Sequence, residues 1–388
     1  MNLSELIEAR SLVVCCGSGG VGKTTAAAAI ALEGARRGRK VLVLTIDPAR
    51  RLANSLGVEE LNNVERRVDP ARLEAAGIDV QGELHALMLD PKATFDELIK
   101  RLAGDGARAK VILENTVYHQ LTSALAGTLE YMAVEKLYEL HGKGVYDLIV
   151  LDTPPTKNAL DFLDAPGKLS NFLDERVIKW FIPEQDEDGT LRYKVVQKTG
   201  KLVWSVLGRV FGDASLDEIG TFFASISGMT GAFRLRAVEI EKLLASSETS
   251  FIVVTSGDPT VIDDAMYFYR KIREHRMPFG GFVVNRLSPD TGPIEHGLVA
   301  ADLGTLPENL REGPEVENLL RKMEEGYTIL RKASAIEGRT IERLRTSTGF
   351  QGFIARVPQF AHDIFDIPGL VLINRYLFGE GDLLAREA

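Results

Sequence analysis

Cysteine is nearly absent from this chain. Its 388 residues hold two, Cys15 and Cys16, side by side in one apolar run, and adjacent cysteines build no disulfide framework. Six histidines are dispersed along the sequence. Tetrahedral N/S sites and iron–sulfur clusters need clustered ligands, so neither zinc nor an iron–sulfur cluster is expected. No eighteen apolar residues run together, which argues against a membrane-spanning helix. The opening "MNLSELIEARSLVV" lacks the pattern of a secretory signal. Excess positive charge is missing too: the formal net charge is -9, so no overall field draws the chain to nucleic acid or acidic lipid. A cytoplasmic protein without a nucleic-acid partner is the expectation. What remains is 45% hydrophobic and 26% charged, ordinary for a globular chain with a sizeable core.

Short β-branched runs alternate with helical patterns along the sequence. The strand candidates are 11–16, 40–46, 83–89, 146–152, 250–256, 280–286 and 352–358. They show little polar alternation, as strands covered on both faces do. Alternation of strand and helix predicts α/β architecture with a mainly parallel, doubly covered sheet. Residues from about 92 to 142, and again from 157 to 246, read as purely helical. They predict a helical subdomain inserted into one α/β domain spanning 1–388, with a polar break at 183–193. A charged helix is predicted over 315–345, with Pro314 near its start.

The stretch "CCGSGGVGKTT" (15–25) follows the first apolar run and precedes an alanine-rich helical pattern. Gly17, Gly22, Lys23 and Thr24 fit G-x-x-x-x-G-K-[ST], the phosphate loop of P-loop NTPases. Its glycines turn backbone N–H groups toward phosphate oxygens, with Gly19, Gly20, Val21, Gly22 and Thr25 contributing to the cradle. Lys23 brings a positive charge to the β/γ-phosphates, and the Thr24 hydroxyl can ligate magnesium. The start of the following helix adds the positive end of its dipole. Asp152 closes the apolar run "YDLIVLD", where an aspartate holds magnesium through water or else caps the next helix. Asp47 closes the second strand in "LTIDPARRL". It either orients an attacking water or serves as an N-cap.

"GSGGVGKTT", "DPARRL", "DTPPT" and "VVNRL" occur in this order along the chain. Together they resemble the deviant-Walker ATPases, specifically the arsenite-pump and tail-anchored-protein targeting family. The likeness extends through "LAGTLEYMAVEKLYEL" (125–140) and "DTPPTKNALDFLDAP" (152–166) to the bacterial anion-transporting branch. The resemblance implies an ATP- and magnesium-dependent dimer that opens and closes. It implies that Asp47 positions the hydrolytic water, that Asp152 opens the second switch, and that Asn285, followed by Arg286, reads the adenine edge. Pro358 and Phe360, in "RVPQFAHDIFDIPGL", match the segment that packs against the base.

The chain also departs from that pattern. The family loop carries a lysine where this sequence has Ser18, and that lysine reaches the partner's nucleotide across the dimer. Losing a transition-state cation of arginine-finger type costs on the order of a thousandfold in rate. Hydrolysis is therefore expected to be slow, or to depend on Arg50 or Arg51 or on a lysine-bearing paralogue in a heterodimer. The zinc-clamping cysteine pair of the eukaryotic targeting branch is absent, and after "DTPPT" Lys157, Asn158 and Ala159 replace the family's usual Gly-His-Thr.

Within 199–244, Leu216, Ile219, Phe223, Ile226 and Phe233 recur at helical spacing, and 202–211 is apolar almost all round. Such faces are either subdomain core or a surface for an apolar partner. Leu207, Phe211, Phe223 and Met229 are the candidates for a client groove. Three readings follow. One is a nucleotide-switched ATPase handling a hydrophobic client or a membrane-protein partner, and another is the energising subunit of an anion exporter. The third is a nucleotide-binding scaffold with negligible turnover.

Overall fold

The computed structural model describes residues 1–47, 51–58, 61–124, 128–153, 184–185, 191–192, 216–289 and 314–379. Its strands are β1 (Leu12–Cys16), β2 (Lys40–Thr45), β3 (Arg66–Arg67), β4 (Glu83–Met88), β5 (Leu148–Asp152), the short pair β6 (Glu184–Gln185) and β7 (Leu191–Arg192), then β8 (Thr249–Ser256), β9 (Phe279–Leu287) and β10 (Phe353–Pro358). β6 and β7 pair with each other inside the polar break. The other eight form one sheet in the order β10-β9-β8-β1-β5-β2-β4-β3. Every pairing in it is parallel except that of β3 with β4. This is the predicted α/β class, and all seven strand candidates form strands within two residues of the expected limits. β3 was not anticipated: two exposed arginines on an antiparallel edge carry no apolar signal.

Side chains along β1 alternate between two cores. Leu12, Val14 and Cys16 face one, Val13 and Cys15 the other, so both faces of the sheet are covered. One face carries the helix Lys23–Arg36, whose residues from Ala26 to Ala35 are all buried. Its small side chains let it lie close to the sheet. At Gly34 even a Cβ would come within 2.9 Å of Leu148 and 3.1 Å of Val41.

The opposite face carries the helices Pro91–Ala103, Gly106–Leu113, Thr128–Gly142, Leu216–Ser227 and Thr230–Ala245. The two separated helical stretches of sequence pack on one another. Arg236 spans both carboxylate oxygens of the fully buried Glu135, at 2.7 to 3.1 Å. Arg108 donates to the Ser225 carbonyl at 2.9 Å, and Asn115 to that of Glu218 at 3.1 Å.

Two of the four residues expected to line a client groove are not at the surface. Phe223 and Met229 are each 1% exposed and belong to the core that joins these helices to the sheet. Apolar side chains at helical spacing fit a core equally well, and the neighbouring helices cover them. Leu207 and Phe211 lie outside the described residues. Exposed apolar side chains in this layer include Leu235, Val238 and Val111. The charged helix runs Pro314–Thr348, slightly longer than predicted. Ile341 and Leu344 bury its C-terminal end, whereas Leu319, Met323 and Ile329 are exposed. No helix among the described residues is long and apolar enough to cross a membrane.

Candidate nucleotide site

β1 sits mid-sheet between β8 and β5, so the loop after it opens at the C-terminal edge of the sheet. The next strand in sequence, β2, lies beyond β5. Such a crossover leaves a crevice at the strand ends, where α/β sheets bind ligands. Two glycines shape the loop. Gly17 has φ +150, and a Cβ there would strike the Val254 carbonyl of β8. Gly22 has φ +93, and its Cβ would strike the Asn285 amide. Only glycine tolerates both the backbone angle and the closeness. Gly19 and Gly20 are exposed at the tip, Val21 is buried, and Thr24 and Thr25 are half-buried at the start of the helix.

Lys23 is the first residue of the helix Lys23–Arg36 and is only 6% exposed. Its ammonium curls back into the loop and donates to the Ser18 carbonyl at 2.9 Å. Burial lowers its pKa, against the opposing pull of the Asp152 and Asp47 carboxylates. Lys23 therefore stands as a poorly hydrated cation folded against the loop backbone, where a phosphate oxygen could replace the Ser18 carbonyl.

Asp152 is 1% exposed at the end of β5. The hydroxyls of Thr24 and Thr45 both donate to its Oδ2, at 2.6 and 2.9 Å. Its Oδ1 is buried with no hydrogen-bond partner. Burial pushes its pKa up to about 6; the two threonines and Lys23 pull down, and Asp47 pushes up again. A buried carboxylate oxygen without a donor, beside a threonine hydroxyl, fits a hard cation with oxygen ligands. Asp47 follows β2, and its backbone N–H donates to the Thr45 hydroxyl at 3.2 Å. Thr45 thus connects the two aspartates. It was not singled out in the sequence, because only the pairing of β2 with β5 sets it opposite Asp152.

On the other side of the loop, Asn285 donates to the Val21 carbonyl at 2.9 Å, and its own carbonyl accepts from Arg286 N–H at 2.9 Å. Pro358 is buried at the end of β10, paired with Leu287. Phe360 packs edge-on to Tyr376, ring centroids 5.7 Å apart. Ser18 is not idle: its hydroxyl donates to Asp264 at 2.7 Å, which ties the loop to the helix Pro259–Glu274. Arg51 is exposed on the helix Arg51–Leu56, and Arg50 lies outside the described residues. Cys15 and Cys16 are buried, and burial pushes both thiols up, Cys16 to about 12.

A family model for anion-transporting ATPases matches residues 10–296. The chain belongs to that family. Among its relatives is a protein of Aquifex aeolicus that carries an arsenical pump-driving ATPase name. It is 25% identical over 288 residues, which cover 72% of this chain and 64% of the relative. ATPase GET3 of Malassezia globosa is 27% identical over 44% of this chain and 47% of its own length. ATPase get3 of Schizosaccharomyces japonicus is 23% identical over 74% of this chain and 79% of its own length. The match to the first two thus spans less than two thirds of their lengths. Membership of this ATPase family accords with the strand–loop–helix geometry around Lys23.

Proposed function

We propose that this anion-transporting-ATPase family member binds and hydrolyses ATP with magnesium, as a dimer whose nucleotide state governs contact with a hydrophobic client or a membrane-protein partner. The observation that carries the reading is the pairing of two charges across one loop. Lys23 is a buried cation held on the loop by the Ser18 carbonyl, and Asp152, electrostatically coupled to it, presents a buried oxygen with no donor. Triphosphate oxygens would take the place of the Ser18 carbonyl on Lys23. Asp152 and Thr24 would hold magnesium, which when bound supplies positive charge to the phosphate oxygens. Asp47, its backbone fixed through Thr45, would orient the attacking water.

Turnover is expected to be slow. Ser18 stands where the family lysine would stand, and it is engaged within its own chain by Asp264. The same contact favours the scaffold reading, in which nucleotide is bound and scarcely hydrolysed. Lys23→Ala should abolish ATP binding by calorimetry while the melting curve stays cooperative. Asp47→Asn should keep affinity within about twofold and cut phosphate release by at least about tenfold. Unchanged affinity in Lys23→Ala would refute the nucleotide reading. Equal loss of affinity and rate in Asp47→Asn would assign that residue to structure.

A further inference from the structure

The last turn of β9 carries a backbone conformation that needs holding. Arg286 has φ +58, a left-handed angle that costs a non-glycine residue on the order of 1 kcal/mol or more. On its N-terminal side Asn285 pins it, bonding both the Val21 carbonyl and the Arg286 N–H. Two residues past Arg286 a second clamp appears. Ser288 donates its backbone N–H to one oxygen of Glu337 at 2.7 Å and its hydroxyl to the other at 3.0 Å.

Glu337 belongs to the long helix Pro314–Thr348, far along the sequence from the strand it holds. Its side chain also lies against the exit of β8: a Cβ on Gly257 would come within 2.5 Å of its Cγ. One side chain of the helix therefore bonds the exit of β9 through its carboxylate and packs its methylenes against the exit of β8. A cavity of about 510 Å³ opens between them, walled by Gly19, Gly20 and Val21 of the phosphate loop on one side and by Arg286 and Glu337 on the other. That volume suits a small organic ligand. Both oxygens of Glu337 accept from Ser288, so this carboxylate positions its neighbours.

We infer that Glu337 is a positioning residue for nucleoside recognition: through Ser288 it holds Asn285 and Arg286 in register with the phosphate loop. The inference rests on the nucleotide reading above and extends it. Triphosphate is gripped by Lys23 and the loop amides, so it should not sense Glu337. The base, which Asn285 would read, should sense it. Two hydrogen bonds to an ionised acceptor are stronger than neutral ones, and their loss lets the left-handed Arg286 relax. Asn285 then loses its fixed aim, and discrimination between purine edges falls with it.

The test measures binding of ATP, GTP and inorganic triphosphate to the full chain by calorimetry, in wild type, Glu337→Ala, Glu337→Gln and Asn285→Ala. Glu337→Ala should weaken ATP about tenfold, leave inorganic triphosphate within about twofold, and bring the ATP-to-GTP ratio toward one. Glu337→Gln keeps a carbonyl acceptor and the shape, so it should recover most of the ratio. It also serves as the folded reference if Glu337→Ala melts early. A wild-type ratio in Glu337→Ala, with the ratio lost in Asn285→Ala, overturns the inference and leaves the nucleotide reading standing. A wild-type ratio in Asn285→Ala removes base reading by that residue and the inference with it. Equal weakening of ATP and inorganic triphosphate in Glu337→Ala marks a general structural role and also overturns it.

Discussion

Asp152 is held at a cost in the metal-free protein, and removing its charge should reveal that cost. Its pKa stands near 6 against an ordinary 3.8, with burial as the main cause. A group whose folded pKa is raised stabilises the fold fully below the unfolded value and loses that contribution as pH rises through the folded one. The window is therefore about 3.8 to about 6, with stability falling as pH rises. Across all of it the change is on the order of 3 kcal/mol. Between about pH 7.5 and about pH 5, wild type should gain about 1.4 kcal/mol from this group on acidification. Asp152→Asn cannot titrate and should lack that gain. The variant pays elsewhere, because its amide nitrogen would occupy the place of Oδ1, which has no partner; an unpaired buried donor costs about 1–3 kcal/mol. Its metal-free stability at neutral pH should then sit from level with wild type to about 2 kcal/mol above it. Urea denaturation in EDTA at the two pH values measures the difference in slope. Repeating it with ATP and magnesium should stabilise wild type and leave the variant with only the nucleotide's own contribution. Identical pH slopes in the two proteins, or a full magnesium response in the variant, would refute the reasoning.

Two further outcomes follow from the same geometry. Ser18→Lys alone should raise turnover little, because the new ammonium would meet Asp264, the present partner of the Ser18 hydroxyl. Ser18→Lys with Asp264→Asn should raise phosphate release by at least about tenfold, and no gain in either, with dimerisation verified by sedimentation, would show that another group fills the role. Phe223→Ala should destabilise by about 3–5 kcal/mol and Met229→Ala by about 2–5 kcal/mol, because both are buried among the helices. Leu235→Ser, on an exposed position, should stay within about 0.5 kcal/mol; thermal melts that fail to separate the buried pair from Leu235 would contradict the packing described here.

The chain's own order of residues determined a good deal of this protein. Short apolar runs, most of them rich in β-branched residues, marked every parallel strand, because a strand covered on both faces has to be largely apolar on both. The phosphate loop was legible for a local reason: Gly17, Gly22, Lys23 and Thr24 act within ten residues of each other, and the turn and helix start that aim them are encoded on the spot. Partners that meet across strands were not legible. Thr45 joins Asp152 only because β2 lies beside β5; Asp264 reaches the loop from a helix 246 residues along the chain, and Glu337 reaches the β9 exit from 49 residues on. Nothing in the periodicity of 216–233 separated an apolar face packed on its neighbours from one left open, since burial belongs to the assembled helices and not to the spacing. Only tertiary packing could place Phe223 and Met229 inside. It also left one oxygen of Asp152 without a donor, and that depends on which side chains from other strands arrive beside it.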